Sequence, residues 1–111
     1  CIRDRDEPID HNFCLSEAQT TLRKVATLYS SLSNITMTMS STEAGLQFYT
    51  GHHLSASFDG YSERPYTPFS GLCLEPQAWP DAPNQRGFPS IFLAANTLYQ
   101  QISCIEFNMR R

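Results

Sequence analysis

Ile35-Thr36-Met37-Thr38-Met39-Ser40 alternates apolar and hydroxyl-bearing side chains without a break, and few folds accept that pattern. Successive side chains of a strand point to opposite faces, so a strict period of two sends Ile35, Met37 and Met39 to one side and Thr36, Thr38 and Ser40 to the other. A helix would scatter both sets around its circumference. Leu46-Gln47-Phe48-Tyr49 repeats the alternation, with Leu46 and Phe48 on one face and Gln47 and Tyr49 on the other. The Gln47 face is the candidate binding face. Residues 22–29 fit two templates, because Leu22, Val25, Ala26 and Tyr29 fall three and four apart while Thr21, Thr27 and Tyr29 suit a strand. The neighbour favours a strand, since a turn over residues 30–34 would join the two runs as a hairpin.

Shorter strands are expected at residues 10–15, 72–75 and 90–93, and a longer one at residues 98–109 after an Ala94-Ala95-Asn96-Thr97 turn. Residues 51–68, with Gly60, Pro65 and Pro68, read as a long irregular surface connection, and the charged run up to Pro8 as a frayed lead-in. No internal repeat or second domain is visible. The reading is all-β and antiparallel, with about six to eight short strands joined by polar loops.

At 111 residues, 41% of them hydrophobic and 17% charged, the chain can build one modest core. Its net charge of −3 and scattered basic residues give no basic stripe for nucleic acid. No apolar run approaches a membrane span and no signal-peptide pattern is present, so no membrane partner is expected. The chain opens at Cys1 without an initiator Met, which predicts a fragment. Cys1, Cys14, Cys73 and Cys104 form no C-x-x-C pair, and apolar neighbours predict buried free thiols and a cytoplasmic protein. The glycosylation-type triplet Asn34-Ile35-Thr36 reads as chance.

Residues 70–85 carry the densest chemistry. Leu72 and Leu74 alternate with Cys73 and Glu75, so Glu75 is expected at a strand end that Pro76 terminates by removing a backbone donor. Gln77, Trp79, Asp81, Asn84 and Gln85 follow, held by Pro76, Pro80 and Pro83. A carboxylate, amides and an indole on one stiff loop suit a sugar, whose hydroxyls they bond and whose apolar side an aromatic ring can cover.

The segment Ser70-Gly71-Leu72-Cys73-Leu74-Glu75-Pro76-Gln77, continued by Pro80-Asp81-Ala82-Pro83-Asn84-Gln85 and Phe88-Pro89, resembles the base-bearing segment of the aldose 1-epimerases, the galactose mutarotases. Two more segments match in the family's order. Thr42-Glu43-Ala44-Gly45-Leu46-Gln47-Phe48-Tyr49-Thr50-Gly51 does so with Ala44 where proline is usual, and Asp10-His11-Asn12-Phe13 lies near the start. The resemblance covers nearly the whole chain. It implies an antiparallel β-sandwich, the C-terminal part of a galactose-mutarotase-like supersandwich, with residues 1–111 as one incomplete domain lacking its N-terminal part. It also implies an aldose such as galactose or glucose as substrate, Glu75 as general base, and Asp10 and Gln47 as binders of sugar hydroxyls. The family's acid is a histidine upstream of everything here, so the chain alone is expected to be inactive. No cofactor is implied.

His11, His52 and His53 do not occupy the acid's position, and His52-His53 stands where the family usually reads Asn-Phe. Both read as exposed loop histidines, and no metal-ligand spacing accompanies them. Without the resemblance Glu75 would be an ordinary exposed carboxylate, Asp10 an Asx-turn acceptor, Gln47 a solvated strand residue and Trp79 a plug beneath a loop. A non-catalytic sugar-binding or structural β-domain derived from the family is the alternative function.

Overall fold

The computed structural model describes residues 8–56, 60 and 63–109. Six strands order these residues: β1 (Asp10–Cys14), β2 (Arg23–Ser30), β3 (Ile35–Ser41), β4 (Gly45–Tyr49), β5 (Cys73–Gln77) and β6 (Ser103–Met109). They form two antiparallel three-stranded sheets, β1-β4-β5 and β2-β3-β6, so the protein is all-β as its alternation predicts. The ambiguous residues 22–29 are strand. Tyr29 pairs with Thr36 and Ser30 with Ile35, and the hairpin closes through Asn34 in the left-handed region (φ 55°).

The registers sort side chains by face. In the second sheet Leu28, Met37 and Phe107 stand level, as do Ala26, Met39 and Ile105, while Thr27, Thr38 and Glu106 share the opposite side. In the first sheet His11, Phe48 and Leu74 form one row and Phe13, Leu46 and Pro76 the next. This apolar face looks across an apolar cleft of about 280 Å³ to Ala26 and Leu28 of β2. The core is densest where the sheets join, with Met39 and Leu46 each 5% exposed.

The junction holds a buried carboxylate. Glu43, 2% exposed, accepts hydrogen bonds from Gln19 Nε2 and from the Tyr99 hydroxyl, the latter at 2.8 Å. Arg23 donates to the carbonyls of Ser41 (3.3 Å) and Glu43 (3.1 Å). Burying such a group without partners costs several kcal/mol in round terms, so these bonds let a charged residue tie the loop before β2 and the loop before β6 to one point.

Three expectations are corrected. Pro76 does not end its strand: β5 continues to Gln77, and Pro76 pairs with Leu46. The Pro76 carbonyl faces away from β4 and accepts from Gln101 Nε2 at 3.2 Å, so its missing N–H falls on the unpaired side of an edge strand. Residues 90–93 and 98–102 are not strand, although the turn between them forms through Thr97 N to Ala94 O at 3.2 Å. Ile91, Phe92 and Leu93 find no neighbouring strand among the described residues and stay exposed, and the β6 ladder starts only at Ser103, opposite Ser41. Cys14, Cys73 and Cys104 are free thiols but exposed, not buried. Register explains it: Cys73 and Cys14 share the polar face of the first sheet, and Cys104 lies level with Ser40 and Lys24 on the polar face of the second. Cys1 and most of the expected lead-in lie outside the described residues.

Candidate functional site

Three strands contribute to a single face, one residue from each in every row. Gln47 of β4 stands between Asn12 of β1 and Glu75 of β5, and the next row along β4 sets Tyr49 between Asp10 and Cys73. Because parity along every strand is two, these residues share the side opposite Leu46, Phe48 and Leu74. The same sheet thus carries a core on one side and a polar site on the other. Asp10, Gln47 and Glu75, singled out in the sequence, are all brought together here around an open pocket of about 450 Å³.

The site is ordered by its own bonds. Gln47 Nε2 donates to Asp10 Oδ1 at 2.6 Å, and Gln77 Nε2 to Asn12 Oδ1 at 3.4 Å. Gly45 makes room for this second contact, because a Cβ there would lie 2.7 Å from Asn12 Oδ1 and 3.1 Å from the Gln77 carbonyl. Glu75 is exposed, in the middle of β5 and level with Gln47. Its carboxylate faces open space where a ligand hydroxyl can reach it.

Tyr49, His53, Gln77 and Pro80 complete the lining. Tyr49 was legible, sharing Gln47's parity; His53 was not, since its place depends on a turn. Gly51 sets that turn at φ 71°, a conformation that L side chains rarely adopt, and a Cβ there would lie 2.1 Å from the Gly71 carbonyl oxygen. The chain then folds back so that His53 N–H donates to the Tyr49 hydroxyl at 2.9 Å. His52, half-buried, packs edge-on against Tyr49 at 5.1 Å and beside His53 at 4.1 Å. His11 falls on the opposite, apolar face, level with Phe48.

The polar loop after β5 contributes less than its composition suggests. Asp81 accepts from Asn84 Nδ2 and Gln85 Nε2, each at 2.6 Å, which turns these groups toward one another around a short 3-10 turn at Ala82–Asn84. Those two bonds hold the Asp81 carboxyl below its ordinary pKa. Nor does the indole line the pocket. Trp79 Nε1 donates to the Ala44 carbonyl at 3.0 Å, and the ring meets Phe88 edge-on at 5.0 Å, so Trp79 is a plug that also latches the loop to the start of β4. Among the described residues no three of His, Cys, Asp and Glu converge as a metal ion would require. No helix of the described residues is long and apolar enough to cross a membrane.

A sequence profile of the aldose 1-epimerase family matches residues 2–104. The galactose mutarotases of Rattus norvegicus and Bos taurus are 38% and 37% identical to the chain over 100 residues, covering 90% of it and 29% of their own length. The aldose 1-epimerase of Haemophilus influenzae is 31% identical over 94 residues, 82% of this chain and 27% of that protein. The chain thus spans under a third of the length of the curated relatives it matches. A match that runs almost from end to end, together with an all-β fold that gathers the three motif residues on one face, establishes that this chain belongs to the aldose 1-epimerase family.

Proposed function

We propose that this chain supplies the base-bearing side of an aldose 1-epimerase site and acts on the anomeric centre of an aldohexose such as galactose or glucose. Glu75 is the general base, and Asp10 and Gln47 hold sugar hydroxyls. Exchange of anomers begins when a base takes the proton of the anomeric hydroxyl while an acid protonates the ring oxygen. The bond between C1 and the ring oxygen then breaks, the aldehyde turns about C1–C2, and the same transfers in reverse close the ring on the other face. The observation that supports this reading is the gathering of Asp10, Gln47 and Glu75, from three strands, around one open pocket. Glu75 is level with Gln47 across the ladder, so a pyranose bonded by Gln47 presents its hydroxyls within reach of the Glu75 carboxylate.

The acid belongs to a segment outside these 111 residues, which we read as the C-terminal part of one larger epimerase domain. His11 is an unsuitable acid because it lies on the opposite face. The free thiols Cys14, Cys73 and Cys104 fit a reducing, cytoplasmic compartment. In the whole protein, Glu75→Gln abolishes turnover and leaves sugar affinity within about tenfold, because Gln keeps the shape of Glu but cannot take up the proton. NMR exchange between anomers reads turnover, and calorimetry reads affinity. Turnover near the unmodified rate would remove Glu75 from the role of base; a protein that binds sugar but shows no exchange before any substitution would favour the non-catalytic alternative.

A further inference from the structure

The residues that line the pocket follow β4 from one end to the other, and the two ends differ in chemistry. Gln77 and Pro80 lie toward the start of β4, where Gln77 is level with Gly45, and Tyr49 and His53 lie toward its end. Glu75 stands level with Gln47, between these ends and on the β5 side, while Asp10 is level with Tyr49 on the β1 side. Asp10 is thus displaced from Glu75 diagonally, by one two-residue step along the strand and two strands across. Those steps amount to roughly 7 Å and 10 Å between backbones, a span that inward-reaching side chains narrow to the size of a pyranose with its hydroxyls. A sugar whose anomeric hydroxyl meets Glu75 therefore lays the opposite edge of its ring toward Asp10 and His53.

His53 is held for a contact there. Its N–H is fixed on the Tyr49 hydroxyl at 2.9 Å, and the ring of His52 backs its own ring at 4.1 Å. His52 is in turn anchored edge-on to Tyr49 and lies 3.5 Å through Nδ1 from Thr50 Oγ1. The backbone ahead of both is set by Gly51. His53 itself is exposed and lines the pocket, so both ring nitrogens are available to exchange hydrogen bonds with a ligand.

We infer that His53 is a specificity-determining residue that binds one hydroxyl across the ring from the anomeric carbon, at C3 or at C4, and so selects among aldohexoses. The inference rests on the epimerase reading only for the direction in which the sugar lies. Asp10 and Glu75 are the charged groups that share the pocket with His53, and neither can donate a hydrogen bond when ionised. His53 adds a donor at the end where Asp10 provides only acceptors.

The test is kinetic and uses the whole protein, with anomer exchange followed by NMR for glucose, galactose, 3-deoxyglucose and 4-deoxyglucose. His53→Phe, which keeps a ring but no hydrogen bond, raises KM for glucose or galactose about three- to tenfold and leaves kcat within about twofold. His53→Gln, which keeps a donor and an acceptor, restores most of the loss. With at least one of the two deoxy sugars, the unmodified protein and His53→Phe have the same KM. An unchanged KM for both hexoses, or an equal rise for both deoxy sugars, overturns the inference. Collapse of kcat at unchanged KM also overturns it and makes His53 a proton donor instead. Should one variant fail to melt like the unmodified protein, the other carries the comparison. Failure of the epimerase reading is seen separately, as Glu75→Gln retaining turnover, which leaves the calorimetric effect of His53→Phe on sugar binding to stand or fall alone.

Discussion

Asp10 and Gln47 are not independent contacts. With Gln47 Nε2 donating to Asp10 Oδ1 at 2.6 Å, each side chain constrains the rotamer of the other. Asp10→Asn and Gln47→Ala should each weaken sugar binding by about 0.5–3 kcal/mol, depending on how far the contact is shielded from water. In the double variant the losses should fall short of their sum by about 0.5 kcal/mol or more, because the second change removes a residue the first has already loosened. Calorimetry on the four proteins checks this, and strict additivity would mean that the pair is not coupled. Tyr99 offers a second test at this scale. Burial, and then its hydrogen bond to the Glu43 carboxylate, push its hydroxyl above the ordinary tyrosine pKa. A group whose folded pKa is raised stabilises the fold fully below its unfolded value, about 10, and loses that contribution as pH climbs through the folded value. Thermal melts from pH 9 upward should therefore fall more steeply for the native chain than for Tyr99→Phe, and parallel curves would rule the effect out. Residue parity was legible in the sequence. Glu75 shares its face with Cys73 in any strand, and the expectation that Cys73 was buried missed this because it weighed apolar neighbours in sequence above alternation. The position of His53 was not legible, since it depends on a left-handed turn at Gly51 packed against Gly71, twenty residues on.

At the scale of elements, alternation predicted β3 and β4 well because each carries its large apolar side chains on one face and its polar ones on the other. The apolar run at residues 90–93 looks the same to sequence reasoning whether or not a partner strand lies alongside, and none does among the described residues. Pro76 misled for a related reason: proline ends a central strand but sits comfortably on an edge whose free side receives its missing donor. Edge or centre is a property of the sheet, which no local window contains. The loop after β5 depends on a single shared acceptor. The Ala44 carbonyl receives Leu15 N at 2.9 Å, Ser16 N at 3.2 Å and Trp79 Nε1 at 3.0 Å, so three segments distant in sequence meet at one oxygen. Trp79→Phe removes one of these donors while keeping an aromatic ring against Phe88. It should lower stability by about 0.5–1.5 kcal/mol, read as a lower urea midpoint at unchanged slope. An unchanged midpoint would show that the indole contributes by packing alone.

At the scale of the whole molecule, the second sheet turns an apolar face that the first sheet covers only in part. Ala26 and Leu28 look onto the cleft, whereas Phe107 is 69% and Met109 74% exposed, and Phe92 and Leu98 are 84% and 88% exposed. A purified chain of these 111 residues should bind an apolar dye and melt over a broad range. A sharp two-state transition with no dye signal would mean that the core closes by itself. The same chain should not speed anomer exchange above buffer by polarimetry, since a base without its acid forfeits on the order of a hundredfold or more.

The placement of Pro76 bears on how such molecules behave in crowded solution. A sheet can grow by accepting a foreign strand only along an edge that offers a regular row of donors and acceptors. On the outer side of β5 that row is broken at Pro76, which has no donor, and its carbonyl is taken by Gln101. The edge next to Glu75 is thus a poor template for a foreign strand. The edge strands β1, β2 and β6 carry no proline, so among the described strands the edge beside Glu75 is the one whose backbone row is interrupted in this way.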